Sequence, residues 1–399
     1  PHSNFWTAMP TLTQTQDRWA QVVLLALFFV LIRLTNPMPP SDDLRALWLA
    51  GRFFEDGASG IYTLSADHFR MVPPDLWVDT FLAEDIGRPA YPFIYPPLWA
   101  WIMHHLVTAA SFEVFAGVMG NVNAAAMCGC FYLASKMARG AMTGTAYIAV
   151  LLFITFGLGC LVITLPLHEN QPQILVSFLV LLGIERTRAG HAKTGGAAMA
   201  LAAALKLYPV IFALLWLAAG QKKSFAAFTI AGGTLGIASL AVGGLDLHIA
   251  FLSEVRSISA SAILIYPNVT LDSLVGILLI DPGNTETIST AMTGGENAWR
   301  VYAKPEIWKL ANTVTQIFLL IGLMIYARRT SLTDPLVWPV VIVTLAWFLP
   351  LSWLYHYLPA FAFLPALVAR LGWKHGVYAM SVPVIVTSTA FFVLILSLP

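Results

Sequence analysis

The sequence predicts an all-α polytopic membrane protein: a bundle of about ten to twelve membrane helices with amphipathic helices lying in the interface. Three observations carry that expectation. Hydrophobic residues make up 58% of the 399-residue chain and charged residues 11%, against about 25% charged in a soluble domain. Mean hydropathy is +0.74. The apolar residues gather in runs near the roughly 20 residues that cross a bilayer as helix, with basic residues bunched between the runs. We read residues 1–399 as one integral membrane domain. A net charge of +1 offers no field for nucleic acid.

The first run, 19–34, reads as a retained span, because "LTNPMPP" after it lacks a small-x-small cleavage pattern. Further runs lie near 113–135, 141–165, 172–185, 225–243, 307–327, 335–353, 355–370 and 376–398. Basic clusters set the orientation: Lys136 and Arg139; Arg186, Arg188 and Lys193; Lys222 and Lys223; Arg328 and Arg329; Arg370 and Lys374. With all of these cytoplasmic, segments 35–94, 166–171, 246–305 and the vicinity of 353–356 face the other side. That parity requires 95–110 not to cross and 196–219 to enter and return. Lys206, Tyr208 and Pro209 interrupt the latter, leaving halves of about 12 residues, or about 18 Å of helix each. Such halves suit a hairpin of short helices dipping into the protein. The alternative is that the positive-inside rule fails at one loop. Cys128, Cys130 and Cys160 lie inside apolar runs and read as small packing residues.

The first outer loop, 35–94, carries nine acidic residues against four basic ones, which fits a non-cytoplasmic segment. Within it Leu44, Leu47, Trp48, Gly51 and Phe54 recur at helical spacing, with Arg45, Arg52 and Asp56 on the opposite face. That pattern is an amphipathic helix in the interface plane. The second outer loop, 246–305, holds a similar stretch at 247–258. No internal repeat is visible, unlike many secondary transporters.

Four polar constellations collect at the proposed outer ends, where ionisable groups are costly and suggest function. Asp42 and Asp43 open the amphipathic helix. They read either as caps that use the helix dipole, or as a general base whose pKa is raised by its neighbour and by burial. "LHENQPQ" (167–173) offers His168, Glu169, Asn170 and Gln171, either as a capped loop or as carboxylate and amide readers of sugar hydroxyls. "YPNVTLDSLVG" (266–276) holds Asn268 and Asp272, again cap or contact. "LSWLYHYLP" (351–359) holds Trp353 and His356, either interfacial aromatics or hydrogen-bond donors to sugar or phosphate oxygens. Lys206, in "ALKLYP", sits mid-run at a helix break. It reads as a snorkelling lysine or as a cation for an anionic lipid headgroup, with Arg256 as its partner. No Walker, Rossmann, His-Glu-x-x-His or metal-ligand spacing is present, so no cofactor or metal is expected. A transferase without a nucleotide site would take its donor from the membrane.

Taken together, these residues resemble the GT-C superfamily of membrane glycosyltransferases, and within it glycosyltransferase family 87, the polyprenol-phosphate-mannose-dependent mannosyltransferases. The resemblance runs in order through "DLRALWLAGRFFEDGASGIY", "FIYPPL" (93–98), "NQPQILVSFLVLLG" (170–183), "ALKLYP" (204–209), "NVTLDSLVG" (268–276) and "LSWLYHYLP". It places the family's first-loop aspartate on Asp43, with Asp42 as the neighbouring candidate. It places the Lys-hydrophobic-x-Pro element on Lys206 to Pro209, and the Ser-Trp…His element on Ser352, Trp353 and His356. The chain departs from the pattern at Asn170-Gln171-Pro172 and at Pro350-Leu351.

The resemblance implies a GT-C-like fold and an inverting transfer of a hexose, mannose by family, at the non-cytoplasmic face of a bacterial-type inner membrane. The donor is a polyprenyl-phosphate sugar and the acceptor a lipid-linked or cell-envelope glycan. Asp43 takes the acceptor proton; Lys206, Arg256 and His356 stabilise the departing phosphate; His168, Glu169, Asn170, Gln171, Asn268 and Trp353 contact sugar or acceptor. Two competing readings are a proton-coupled transporter or flippase and a non-catalytic subunit of a glycan assembly complex. A transporter should carry ionisable groups at mid-membrane in several helices. Here most of them gather at one leaflet.

Overall fold

Thr13 opens the first helix with a capping box: its hydroxyl accepts from the Gln16 amide, and the Gln16 side chain accepts from Thr13 N. From there α1 (Gln14–Thr35) runs as a long apolar helix, with Asp17 in its first turn and Arg33 in its last, both matched to the helix dipole. The computed structural model describes residues 12–37, 42–64, 69, 71–83, 90–140, 142–288 and 299–388. After α1 come α2 (Asp42–Arg52), the short α3 (Ala58–Ile61), α4 (Asp75–Ala83) and α5 (Pro97–Val107). The bundle continues with α6 (Phe112–Ala138), α7 (Gly144–Leu152), α8 (Leu161–His168), α9 (Gln173–Arg188), α10 (Ala192–Leu205), α11 (Val210–Ala218) and α12 (Lys222–Ser259). A small mixed region holds β1 (Ser261–Leu264), α13 (Leu271–Leu279), β2 (Glu286–Ile288) and β3 (Trp299–Ala303). It is followed by α14 (Glu306–Arg329), α15 (Val337–Phe348), the one-turn α16 (Leu358–Phe361) and α17 (Leu364–Val386).

The chain is an all-α polytopic membrane protein. Among the described residues four helices, α1, α6, α12 and α14, are long and apolar enough to cross a bilayer. The pair Leu354–Phe361 and Leu364–Val386, bent by 59°, makes a fifth if it is one span. The other apolar runs are cut into shorter pieces, so helix length alone does not reach the ten to twelve spans expected from the sequence. The run 141–165 is broken by a π-turn at Phe153–Gly157 and by Gly159 at φ 58°. The run 196–219 is divided into α10 and α11 at Lys206, which is extended at φ −143° and ψ 134°. The last run, 376–398, is described only to 388.

Two glycines make turns that other residues resist. Gly244, at φ 65° and ψ 176°, separates the membrane part of α12 from the stretch that the sequence marks as interfacial. Gly372, at φ 77° and ψ 169°, does the same inside α17, and Gly376 then folds back against the Val368 backbone.

The core has three parts. The largest gathers α1, α6 to α11 and α14 to α17, and includes buried Cys130 and Cys160. The second lies under α2, where Leu47 and Ala50 pack with Tyr62, Trp77, Phe93, Met103 and Phe251. In α5 it takes in Ala100 and Met103. At 11 residues, α5 is about 16 Å long, far short of the roughly 30 Å of hydrocarbon. The third joins Phe69 and Met71 to Ile263, Val301, Trp353 and Tyr355.

No local pattern announces the sheet. Its order is β1-β3-β2, antiparallel throughout, with Ser261 opposite Ala303 and Glu286 opposite Val301. Strand β1 is four residues long and buried at every position, so it lacks the two-residue alternation that marks a strand.

Three of the basic clusters meet carboxylates at the other end of α9. Lys136 and Arg186 both bind Glu185, Arg139 reaches Asp17, and Arg370 reaches Asp334. Asp17 also accepts from the backbone amides of Gly144 and Thr145 at the start of α7.

Gly51 sets how closely α2 can approach α5. A Cβ added there would lie 2.5 Å from the Met103 carbonyl carbon and 2.8 Å from His104 N. Gly51→Ala should therefore destabilise the protein by about 1–3 kcal/mol through overpacking. Thermal unfolding of the purified protein in detergent measures this, and an unchanged midpoint would contradict the close approach.

Candidate active site

Asp43 stands in the first turn of α2 and faces a cavity of about 200 Å³. Six other segments of the chain close around it. The segment before α5 supplies Tyr91, Ile94 and Tyr95, and the end of α8 with the turn after it supplies Leu165 and Glu169. The break between α10 and α11 supplies Lys206, and Pro267, Leu351, Trp353 and Tyr355 complete the wall with Phe69 and Met71. Segments that lie far apart in the sequence thus deliver two carboxylates, one ammonium and a set of aromatic rings to one space.

Lys206 occupies its position because α10 cannot continue into Tyr208-Pro209. Pro209 has no amide hydrogen to donate and favours a helix start, which it provides for α11. The Lys206 ammonium lies 5.4 Å from the ring centre of Tyr95 and 5.9 Å from that of Tyr355, two cation–π contacts. Among the described residues it makes no hydrogen bond or ion pair. Tyr95 is buried, and its phenol is held well above its usual pKa by that burial and by the charge of Asp43. It therefore stays neutral. Its carbonyl accepts from the hydroxyl of Tyr62 at 2.9 Å.

The turn between α8 and α9 is built from its amides. Asn170 adopts φ 52°, a left-handed conformation that asparagine tolerates. Its side chain donates to Ala116 O at 2.9 Å and accepts from Asn123 at 2.9 Å, both on α6. Gln171 follows, fully buried, and its amide nitrogen donates to the Asp43 carboxylate and to the Tyr355 hydroxyl. Gln173 donates to the Tyr208 hydroxyl at 2.8 Å.

The segments "YPNVTLDS" and "LSWLYHY" are joined to each other. Asn268 accepts from Ser352 N at 3.0 Å and donates to Ile263 O at 2.9 Å, while Val269 N donates to Ser352 O. This holds Trp353 in the cavity wall. Nearby, the buried Lys304 ammonium donates to Asp272 at 2.6 Å, and Asp272 also accepts from Trp308 and Asn312. Burial lowers the Lys304 pKa, and the Asp272 charge opposes that shift. The segment after α3 is fastened too: Leu64 N donates to the buried Glu254 at 2.7 Å, and Phe69 N donates to Ser261 Oγ at 2.7 Å.

Of the residues singled out in the sequence, Asp43, Glu169, Lys206 and Trp353 line the cavity. The side chain of Asp42 lies outside the described residues. Asn170 and Asn268 act on the backbone of neighbouring segments, and Gln171 acts on Asp43. His356 does not line the cavity: it is buried behind Tyr355, with its ring 5.0 Å from that of Tyr355 and 6.0 Å from that of Tyr208. His168 and Arg256 are exposed and line no part of it. Tyr95 and Tyr355 do not stand out in the sequence as functional groups. A signal was present, since each stands beside prolines or polar residues in a quoted motif, but it did not separate them from the other aromatics.

A second, apolar cavity of about 660 Å³ runs along α10, α11 and α12, beginning beside the break at Leu207. Leu214, Phe228, Leu240 and Leu252 line it, and Gly233 and Gly236 leave open space on its α12 side.

The chain matches the family model for glycosyltransferase family 87 over residues 93–349. That span contains Tyr95, Glu169, Gln171 and Lys206, and leaves Asp43, Trp353 and His356 outside it. No curated protein matches the chain.

Asp272 tests the division between walls and contacts. Asp272→Ala leaves the Lys304 ammonium buried without its carboxylate, which should cost about 3–5 kcal/mol. A lowered unfolding midpoint with unchanged donor KM in the folded fraction is expected; a raised donor KM at an unchanged midpoint would make Asp272 a substrate contact instead.

Proposed function

The chain belongs to glycosyltransferase family 87, and we propose that this membrane glycosyltransferase moves a hexose from a polyprenyl-phosphate donor to a lipid-linked or envelope glycan. Mannose is the sugar favoured by the sequence resemblance. One observation carries the reading: Asp43 and a lysine that makes no ion pair among the described residues share a small cavity, and a larger apolar cavity begins at the same helix break. A donor with a charged phosphate, a sugar and a prenyl tail needs that arrangement of cation, polar space and grease. The basic clusters at the other end of the bundle favour a site facing the non-cytoplasmic side.

The reaction then runs as an inverting displacement. Asp43 accepts the proton of an acceptor hydroxyl, whose oxygen attacks the anomeric carbon. The bond between that carbon and the phosphate oxygen breaks on the opposite face, and the electron pair leaves with the phosphate. Lys206 offsets the charge that develops there. Its aromatic surroundings leave the three N–H donors of the ammonium for a ligand. Trp353, Tyr91 and Glu169 provide an apolar face and a carboxylate for sugar hydroxyls. His356 and Arg256, both outside the cavity wall, take no step in this reading; the cationic role rests on Lys206.

The test is donor turnover. Purified protein in detergent, given polyprenyl-phosphate-mannose and a pool of membrane glycolipids, should add a hexose mass to an acceptor. Asp43→Asn should lower transfer by about 10²–10⁴-fold while leaving the protein folded, the range that a lost general base costs. Wild-type rates in that variant would remove the base assignment. Lys206→Ala should raise donor KM more than Asp42→Asn does; the reverse order would move the phosphate site elsewhere.

A further inference from the structure

We infer that Gln171 is a positioning residue that orients the Asp43 carboxylate and ties it to the ring holding Lys206. The inference rests on the reading of Asp43 as the base. Gln171 is fully buried, and its amide nitrogen serves two partners, Asp43 Oδ2 and the Tyr355 hydroxyl, the latter at 3.1 Å. The orientation of the amide follows from chemistry: a carboxylate only accepts, so nitrogen, not oxygen, must face it. Both amide hydrogens are consumed by these two bonds. Tyr355 in turn presents its ring to the Lys206 ammonium at 5.9 Å. One amide thus spans the two ends of the proposed reaction, the group that takes the proton and the ring beside the cation.

Two features show that the local structure is arranged around those donors. Among the described residues the amide oxygen of Gln171 is buried without a hydrogen-bond partner. An orphaned acceptor is a cost in stability, and apolar side chains of similar length would avoid it. A glutamine there is therefore explained by its two donors and not by its packing. The backbone is also held in place for it. Asn170 takes a left-handed turn, is bonded twice to α6, and Gln171 N donates to Pro166 O at 2.8 Å. The side chain has little freedom to serve a sugar instead.

The consequences are specific. An N–H donor stabilises the ionised carboxylate, so its loss raises the Asp43 pKa. Asp43 also feels Lys206, Glu169, Tyr91, Tyr95 and Tyr355 around the cavity, and none of these changes in the variants below. Gln171→Met keeps the length and removes both donors. Gln171→Glu keeps the shape and places a second carboxylate against the first. The pH profile of kcat/KM for hexose transfer reads the free enzyme's base.

We expect the acidic limb to move to higher pH in Gln171→Met and further in Gln171→Glu, with kcat lower by about 10²-fold at neutral pH and acceptor KM within about twofold. An acidic limb that stays in place in both variants, with a raised acceptor KM, would make Gln171 a substrate contact and overturn the inference. An unmoved limb with activity tracking the folded fraction would make it structural and overturn it equally. Asp43→Asn in the same assay separates the two levels: full activity there defeats the base reading itself, whatever Gln171 does.

Discussion

Lys206 holds its ammonium between the rings of Tyr95 and Tyr355, and several breaks between helices meet around that charge. An unpaired cation inside a protein is costly unless something repays its lost hydration. Here the quadrupoles of two rings and the charge of Asp43 across the cavity supply part of the compensation. A direct ion pair would satisfy the lysine better and would also silence it. The rings stabilise the cation without occupying its N–H donors, so an anion can claim them.

That requirement explains why so many helices are short. A lysine on an unbroken helix would put its charge against a neighbouring helix or into hydrocarbon. Ending α10 at Leu205 and starting α11 after Pro209 lets the backbone turn inside the protein. The four residues between carry the polar groups. The turn after α8 and the segment at 350–357 do the same on other sides of the cavity. Each break exposes backbone groups that must find partners, and the asparagines provide them: Asn170 toward α6, Asn268 toward Ser352. Polar residues that look like ligand contacts are in part the fittings that make such breaks affordable.

The two long loops behave as walls. The three-stranded sheet, the Lys304–Asp272 pair and Glu254 fasten the second loop and part of the first to the bundle. Phe69, Met71 and Trp353 are thereby held against the cavity as one packed cluster. At the far end of α9 the ion pairs around the buried carboxylates of Glu185 and Asp17 join helix termini and fix which ends lie together.

Much of this could be read from the chain alone. Long apolar runs specify membrane helices because hydrocarbon admits little else. Asp43, Glu169, Lys206 and Trp353 stood out because an ionisable or polar-tipped residue beside such a run needs a reason. The same logic picked His168 and Arg256, which are exposed, and it could not tell Asn170, Gln171 and Asn268 as fittings from the same residues as contacts. Composition says that a buried amide has a partner; it does not say which. Gln171 and Asp43 are 128 residues apart, and Gln171 and Tyr355 are 184 apart. No local pattern encodes such pairs. Local sequence determined where helices form and break, since periodicity, proline and glycine act over a few residues. The tertiary structure alone decided which side chains share the cavity, because that depends on how the broken helices pack against one another.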